Sequence, residues 1–388
     1  MSATGRSATT EGAFTQRLPF LPFPHPDPAF RSRLCPRSTQ SPRNQRPQMS
    51  QPPPSPTTPP TPPAPSEPTA HTVRHLLSRA LPGESGTRIE PVDEGGEHST
   101  WWVGARYVLR FALDESGSRR QRRERALRDA IRSRLAVRVP ISIASGEWAP
   151  RLTYTIDTRL PGVSAERQPV SPAGERDLAQ LLTGLRALSA EEIAGLGLPT
   201  APPRPLDTLR KAAAAAAARL TADGELDGVA EGAHRPPLRA AAPARPTPPI
   251  RPAPVAVVHN DLKGEHLLVS DSGRVCGVLD WTDAVIGDPA EDIAGLAISL
   301  GAPAAIRAAT HAGYEPPVCR RALLLARYDT LIRLADRLYG TDDSPLSLLR
   351  TQLARAWRTT PLDTTTPTGS STPTTGGPTT DIRDDPPA

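Results

Sequence analysis

Long apolar runs, cysteine, lysine and aromatic side chains are all scarce in this chain, and each scarcity excludes something. No uninterrupted apolar stretch approaches the length that spans a bilayer, and the apolar residues at 18–23 are broken by prolines where a secretory signal needs a continuous core. A soluble cytoplasmic protein with no membrane partner is expected. Cys35, Cys276 and Cys319 stand far apart, an odd set without metal-ligand spacing, which argues for a reducing compartment and against a disulfide framework. Aromatics make up only 4% of 388 residues while 48 are proline, so a sizeable part of the chain cannot belong to a packed core. Lysine is confined to Lys211 and Lys263 among 46 basic residues, so arginine carries the net charge of +5. Heavy use of Ala, Arg, Pro and Gly with so little Lys reflects genomic base bias as readily as a polyanionic partner, and no nucleic-acid partner is expected.

The prolines are concentrated. Residues 1–70 read as a disordered Pro-rich tail, with 51–68 almost entirely Pro, Ser and Thr, a composition that favours polyproline II. A Pro/Ala-rich loop is expected over 232–254 and a second disordered tail over 359–388.

Between these segments the patterning is regular. A helix is predicted over 73–80, with Val73, Leu76, Leu77 and Ala80 on one face. Strands are predicted at 88–92, 100–103, 107–111, 139–144 and 151–157, with a helix at 118–135 whose inward face carries Leu127, Ile131 and Leu135. Arg110 lies inside an apolar strand and needs a partner. Glu124 projects from the inward face of the 118–135 helix and is the expected one, whereas Arg119, Arg120, Arg122, Arg123 and Arg128 are read as its solvated outer face. From Ser171 the chain turns helical: Ser171 caps, Pro172 suits the first helical position, and Leu178, Leu181, Leu182, Leu185 and Leu188 form a buried stripe. Further helices are predicted over 206–220, with an alanine tract that has little to pack, and over 320–339 as a helix pair. Asp329 and Asp336 in the latter share a face and are read as solvent-facing partners of Arg333 and Arg337.

The most informative stretch is 255–296. A β-branched run at 255–258 ends in the polar loop His259-Asn260-Asp261-Leu262-Lys263-Gly264-Glu265-His266. Two short apolar strands follow, joined by an Asp271-Ser272-Gly273 turn, and the second delivers Asp280. Carboxylates at both strand mouths suit phosphoryl transfer. Asp261 is placed to act as the base beside an attacking hydroxyl, His266 and Asp280 to hold a divalent cation, and Lys263 to meet the charge on the transferred group. Further on, Asp288, Pro289 and Glu291 have the form of a capping box that opens another helix.

These residues resemble the aminoglycoside phosphotransferase family, a branch of the protein-kinase-like fold. The resemblance rests on His259-Asn260-Asp261, then His266, then Leu279-Asp280-Trp281, then Gly287-Asp288-Pro289-Ala290-Glu291-Asp292. Asn260 stands where the family usually has Gly or another small residue, and His266 stands where it usually has a metal-binding Asn. The resemblance implies an α+β, two-lobed fold, with a small β-rich nucleotide-binding N-lobe over 71–157 and a larger helical catalytic and substrate-binding C-lobe over 158–358. It implies Mg²⁺ as cofactor and ATP or GTP as donor to a hydroxyl of a small molecule such as an aminoglycoside or macrolide. Arg110, fixed by Glu124, would grip the nucleotide phosphates, and the Gly95-Gly96 turn would cover them with backbone N–H groups. The segment 157–162 would receive the base edge, and the one after Gly287 would buttress the catalytic loop. Two other readings stand beside this one: a metabolite kinase of the same fold, and a catalytically weak, kinase-like nucleotide-binding protein.

Overall fold

A short helix followed by five antiparallel strands opens the folded part of the chain. The computed structural model describes residues 67–92, 98–226 and 255–364. Gly95, Gly96, the 232–254 loop and most of both tails lie outside the described residues. Helix α1 (Ala70–Ala80) starts at a Thr69 cap and lays Val73, Leu76 and Leu77 on the sheet, against Leu109, Phe111, Tyr154 and Ile156. That sheet has the order β1-β2-β3-β5-β4, built from β1 (Ile89–Val92), β2 (His98–Val103), β3 (Tyr107–Ala112), β4 (Ser142–Ala149) and β5 (Leu152–Thr158). Helix α2 (Glu115–Ile131) crosses behind it, capped by Asp114, whose side chain accepts from Gly117 N–H at 2.6 Å.

The fourth strand lies further along than 139–144, and the reason is local. Pro140 has no N–H to give a ladder, and Val137 and Val139 pack instead into the large core of the second half. Arg138 bridges to Gly277 there. These residues therefore stitch the sheet half to the helical half before the strand begins.

The second half is mainly helical: α3 (Pro172–Arg186), α4 (Ala190–Ala194), α5 (Leu206–Ala222), α6 (Ala290–Leu300), α7 (Ala302–His311), α8 (Pro316–Tyr339), α9 (Leu346–Ala356) and α10 (Pro361–Thr364). Two small sheets sit among them. One pairs β6 (Val163–Ser164), β8 (Leu267–Val269) and β9 (Val275–Val278); the other pairs β7 (Ala256–Val258) with β10 (Val285–Gly287). Ser171 caps α3 as its sequence predicts, accepting from Gly174 N–H. The region expected to form a helix pair at 320–339 is instead one unbroken helix, since nothing after Pro317 in α8 interrupts it. The alanine tract does pack: Ala213 and Ala217, one turn apart, let α5 approach Leu331 and Leu334 of α8 closely. The α+β expectation, β-rich then helical, agrees with this architecture. Among the described residues no helix is long and apolar enough to cross a membrane.

Candidate active site

His259, Asp261, Lys263, His266 and Asp280 come together at the mouths of β7 and β9. His259 is fully buried against Trp281, with ring centroids 4.6 Å apart. Its Nε2–H donates to the Leu279 carbonyl at 2.8 Å, and its Nδ1 accepts from the Asp261 N–H at 3.3 Å. One imidazole thus ties the loop at Asp261 to the strand end before Asp280. Burial, with His266 close by, drops the His259 pKa to about 4, so the ring is neutral at physiological pH.

The loop turns through Asn260, which has φ +66°, and the chain enters the second motif at Asp280, with φ +55°. Only Gly, Asn and Asp adopt this left-handed region readily. That is the physical reason Asn260 can stand where small residues are usual.

Helix α6 holds the loop from below with residues spaced along one face. Asp292 accepts from the N–H groups of His259 and Asn260, both at 2.8 Å. Gly295 lies against the Leu262 carbonyl, and Ser299 accepts from the Gly264 N–H at 2.8 Å. Burial outweighs both N–H donors and pushes the Asp292 carboxyl up to about 7. Between about 3.8, the ordinary Asp value, and about 7 the folded state holds a proton that the unfolded state has released, so this stabilisation is lost as pH rises through 7. The stability advantage of the wild type over Asp292→Asn should therefore widen as pH is lowered from 8 to 5, by up to about 1.4 kcal/mol per pH unit below 7; urea unfolding at several pH values checks it.

Gly295 supplies a second test. A Cβ there would lie 2.5 Å from the Leu262 carbonyl oxygen, backbone against backbone, so the loop carrying Asp261 must shift. Gly295→Ala is expected to lower turnover about 100-fold with little change in nucleotide affinity; steady-state kinetics separates the two.

The polar groups of the loop then meet. Lys263 Nζ pairs with an Asp261 carboxylate oxygen. His266 Nδ1 is 2.8 Å from the Asp261 backbone carbonyl, and since a carbonyl only accepts, Nδ1 carries the hydrogen. Its Nε2 faces Asp280 Oδ2 at 3.7 Å and Glu265 Oε1 at 3.8 Å. The Asp280 side chain is 48% exposed. Burial pushes its carboxyl up, but His266 and Arg110 outweigh that and hold it below the ordinary carboxylate range.

From the sheet half comes Arg110, whose Nη1 donates to both Glu124 oxygens at 2.9 and 3.0 Å. Thr282, two residues after Asp280, donates to Glu124 Oε2 at 3.1 Å, so the pair is bonded to the second motif across the two halves. Burial alone would raise the Glu124 carboxyl; Arg110 and Arg128 reverse the effect and hold it low. Arg128 is not on the solvated face of α2. It lies four residues after Glu124, on the same side, and is buried in an ion pair with Asp157 at 3.3 Å.

Two other expectations change. The capping box does not form: α6 begins at Ala290, Asp288 accepts from its N–H at 3.0 Å and pairs with buried Arg321, and Glu291 is drawn away to Arg204 at 2.6 Å. Arg204 also takes Asp329, at 2.8 Å, so Asp329 is buried rather than solvent-facing, while Asp336 is exposed. Glu265 was not singled out from the sequence. Its only signal there is adjacency to His266, yet among the described residues Asp261, Glu265 and His266 place potential metal donors within 4.8 Å of one another.

The sequence pattern of the phosphotransferase enzyme family matches residues 88–325, more than half of the chain. The chain belongs to that family. This phosphotransferase is similar to viomycin phosphotransferase of Streptomyces vinaceus, 33% identical over 241 residues that cover 59% of this chain and 79% of the relative. Its fold is that of solved aminoglycoside phosphotransferases. It matches the GDP and kanamycin complex of APH(2")-IIia with a TM-score of 0.53 and 17% identity, over 74% of this chain and 98% of the other. It matches the GDP complex of wild-type aminoglycoside 2'-phosphotransferase-IIIa with a TM-score of 0.53 and 18% identity, over 73% and 97%. The kinase-like architecture expected from the motifs is thereby established for this phosphotransferase, with the five-stranded sheet leading and the helical half following.

Proposed function

We propose that this phosphotransferase moves the γ-phosphoryl group of ATP or GTP to a hydroxyl of a small molecule, with an antibiotic as acceptor. One observation carries the reading: Arg110, on the sheet, is held by Glu124, and Glu124 also accepts from Thr282, two residues beyond Asp280 at the mouth of β9, so the phosphate-side cation is tied to the segment that carries the metal-side carboxylate. Asp261 orients the acceptor hydroxyl and takes its proton. Lys263, paired with Asp261, offsets the charge that develops between donor and acceptor oxygens. Arg110 binds the donor phosphates, aimed by Glu124.

The donor set at the cleft fits a divalent cation: an imidazole Nε2 with its lone pair outward and carboxylate oxygens within 4 Å. His266 and Asp280 would hold it, and Mg²⁺ when bound would neutralise charge on the nucleotide phosphates. On this reading residues 71–157 serve as the nucleotide lobe and 158–358 as the catalytic and acceptor lobe. The antibiotic assignment is supported by the relationship to viomycin phosphotransferase.

Nucleoside-diphosphate release tests it, measured with ATP and with GTP across cyclic-peptide antibiotics, aminoglycosides, macrolides and metabolite alcohols. Acceptor-dependent release with an antibiotic is expected. Release with a metabolite alcohol alone would replace the antibiotic assignment, and nucleotide binding without release across the panel would favour a binding protein.

A further inference from the structure

Thr282 reaches from the helical half of the molecule to the phosphate-side cation. It is buried, and its hydroxyl donates to Glu124 Oε2 at 3.1 Å. A carboxylate only accepts, so the hydroxyl hydrogen is committed there. A lone pair on the same oxygen faces Arg110 Nη2 at 3.5 Å. Arg110 Nη1 in turn donates to both Glu124 oxygens, at 2.9 and 3.0 Å. Three side chains, from β3, from α2 and from the segment after β9, thus close a ring of hydrogen bonds.

Two members of that ring are soft. The terminal torsion of a Glu side chain has no sharp preference, and Arg carries its guanidinium on a long, rotatable stem. A guanidinium and a carboxylate bound only to each other could swing together. Arg128 Nε, 3.7 Å from Glu124 Oε1, adds charge but stands too far for a hydrogen bond. Thr282 adds direction. Its branched side chain is stiff at χ1. It follows Trp281, which is buried and packs on His259 with ring centroids 4.6 Å apart. His259 Nδ1 holds the Asp261 N–H. The hydroxyl therefore sets Arg110 relative to the catalytic loop and not only to its own sheet.

We propose that Thr282 is a positioning residue for the donor nucleotide: its hydroxyl, through Glu124, aims Arg110 at the phosphates. The inference rests on the phosphotransfer reading above, which puts the phosphates at Arg110, and the test separates the two. Full-length protein with Mg²⁺ is titrated with non-hydrolysable analogues of ATP and GTP, and with adenosine and guanosine, which lack phosphates. Calorimetry follows the triphosphates and ligand-observed NMR the nucleosides, with thermal unfolding of each variant recorded beside them.

Thr282→Val keeps the shape of the side chain and removes the hydroxyl. It should weaken binding of the triphosphate analogue about tenfold, the worth of one hydrogen bond to a charged group, and leave binding of the matching nucleoside within about twofold. Thr282→Ser retains the hydroxyl and should bind the analogue within about threefold of wild type. Thr282→Ala removes the hydroxyl with less bulk and should match Thr282→Val, so the test does not hang on one variant folding. Triphosphate affinity within twofold of wild type in the variants without the hydroxyl overturns the positioning role and leaves the phosphotransfer reading intact. An equal loss for nucleoside and triphosphate does the same, since it marks a general loosening, and so does a Thr282→Ser protein as weak as Thr282→Val. Failure of the wild type to bind either triphosphate analogue overturns both readings.

Discussion

Asp261→Asn should lower turnover about 1,000-fold while leaving nucleotide affinity within about twofold, because a general base of this kind is worth two to four orders of magnitude and does not itself bind the donor. The substitution spares the scaffold. The bonds that set the loop use the Asp261 backbone: its N–H to His259 Nδ1 and its carbonyl from His266 Nδ1–H. An amide keeps the shape of the side chain but cannot take the proton of the acceptor hydroxyl, and Lys263 loses its ionic partner. Steady-state rates measured beside nucleotide binding and thermal unfolding distinguish loss of chemistry from loss of fold. Turnover within tenfold of wild type, in a protein that still folds, would remove Asp261 as the base.

The largest effect on stability is expected from Glu124→Ala. The Glu124 carboxylate is buried and accepts from Arg110 and Thr282, and Arg128 Nε lies 3.7 Å away. Removing it leaves two guanidinium groups facing each other inside the protein, with only Asp157 to offset the second. Breaking a buried pair from one side costs about 3–5 kcal/mol, since the stranded charge keeps its desolvation penalty. Glu124→Gln keeps one acceptor oxygen for Thr282 but loses the charge and turns the other oxygen into an NH₂ that cannot accept from Arg110, so a smaller loss of about 1–3 kcal/mol is expected. Urea unfolding measures both. Because Thr282 follows Asp280 so closely, the nucleotide KM should rise in step with the stability loss.

Much of this was legible in the sequence because the chemistry is local. Asp261, Lys263 and His266 lie within one loop, and Asp280 follows the second strand of the hairpin after it, so chain order already places them together. The Arg110–Glu124 pair was legible for another reason: a charge in an apolar strand demands a partner, and helical periodicity points to one candidate. What the sequence hid was long-range pairing. Arg204 lies 87 residues before Glu291 and 125 before Asp329, and no local signal says that it will take both. Once it does, the predicted capping box loses its glutamate and the predicted surface acid goes inside. Arg128 was hidden by its neighbours: in an arginine-rich helix the inward guanidinium looks like the outward ones until its spacing from Glu124 is counted. The loop support was half visible. Asp292, Gly295 and Ser299 are small or polar interruptions at i, i+3 and i+7 of an otherwise apolar helix, which signals contact with something that is not core.

The most direct test of the central claim, that this cluster transfers a phosphoryl group to oxygen, is ³¹P NMR of the product. Full-length protein is incubated with a divalent cation, a nucleoside triphosphate and the acceptor that supports diphosphate release. The account predicts a phosphate monoester whose phosphorus couples to a carbon-bound proton of the acceptor, absent with Asp261→Asn. Inorganic phosphate as the only new species besides the nucleoside diphosphate, at equal rates in both proteins, would contradict it.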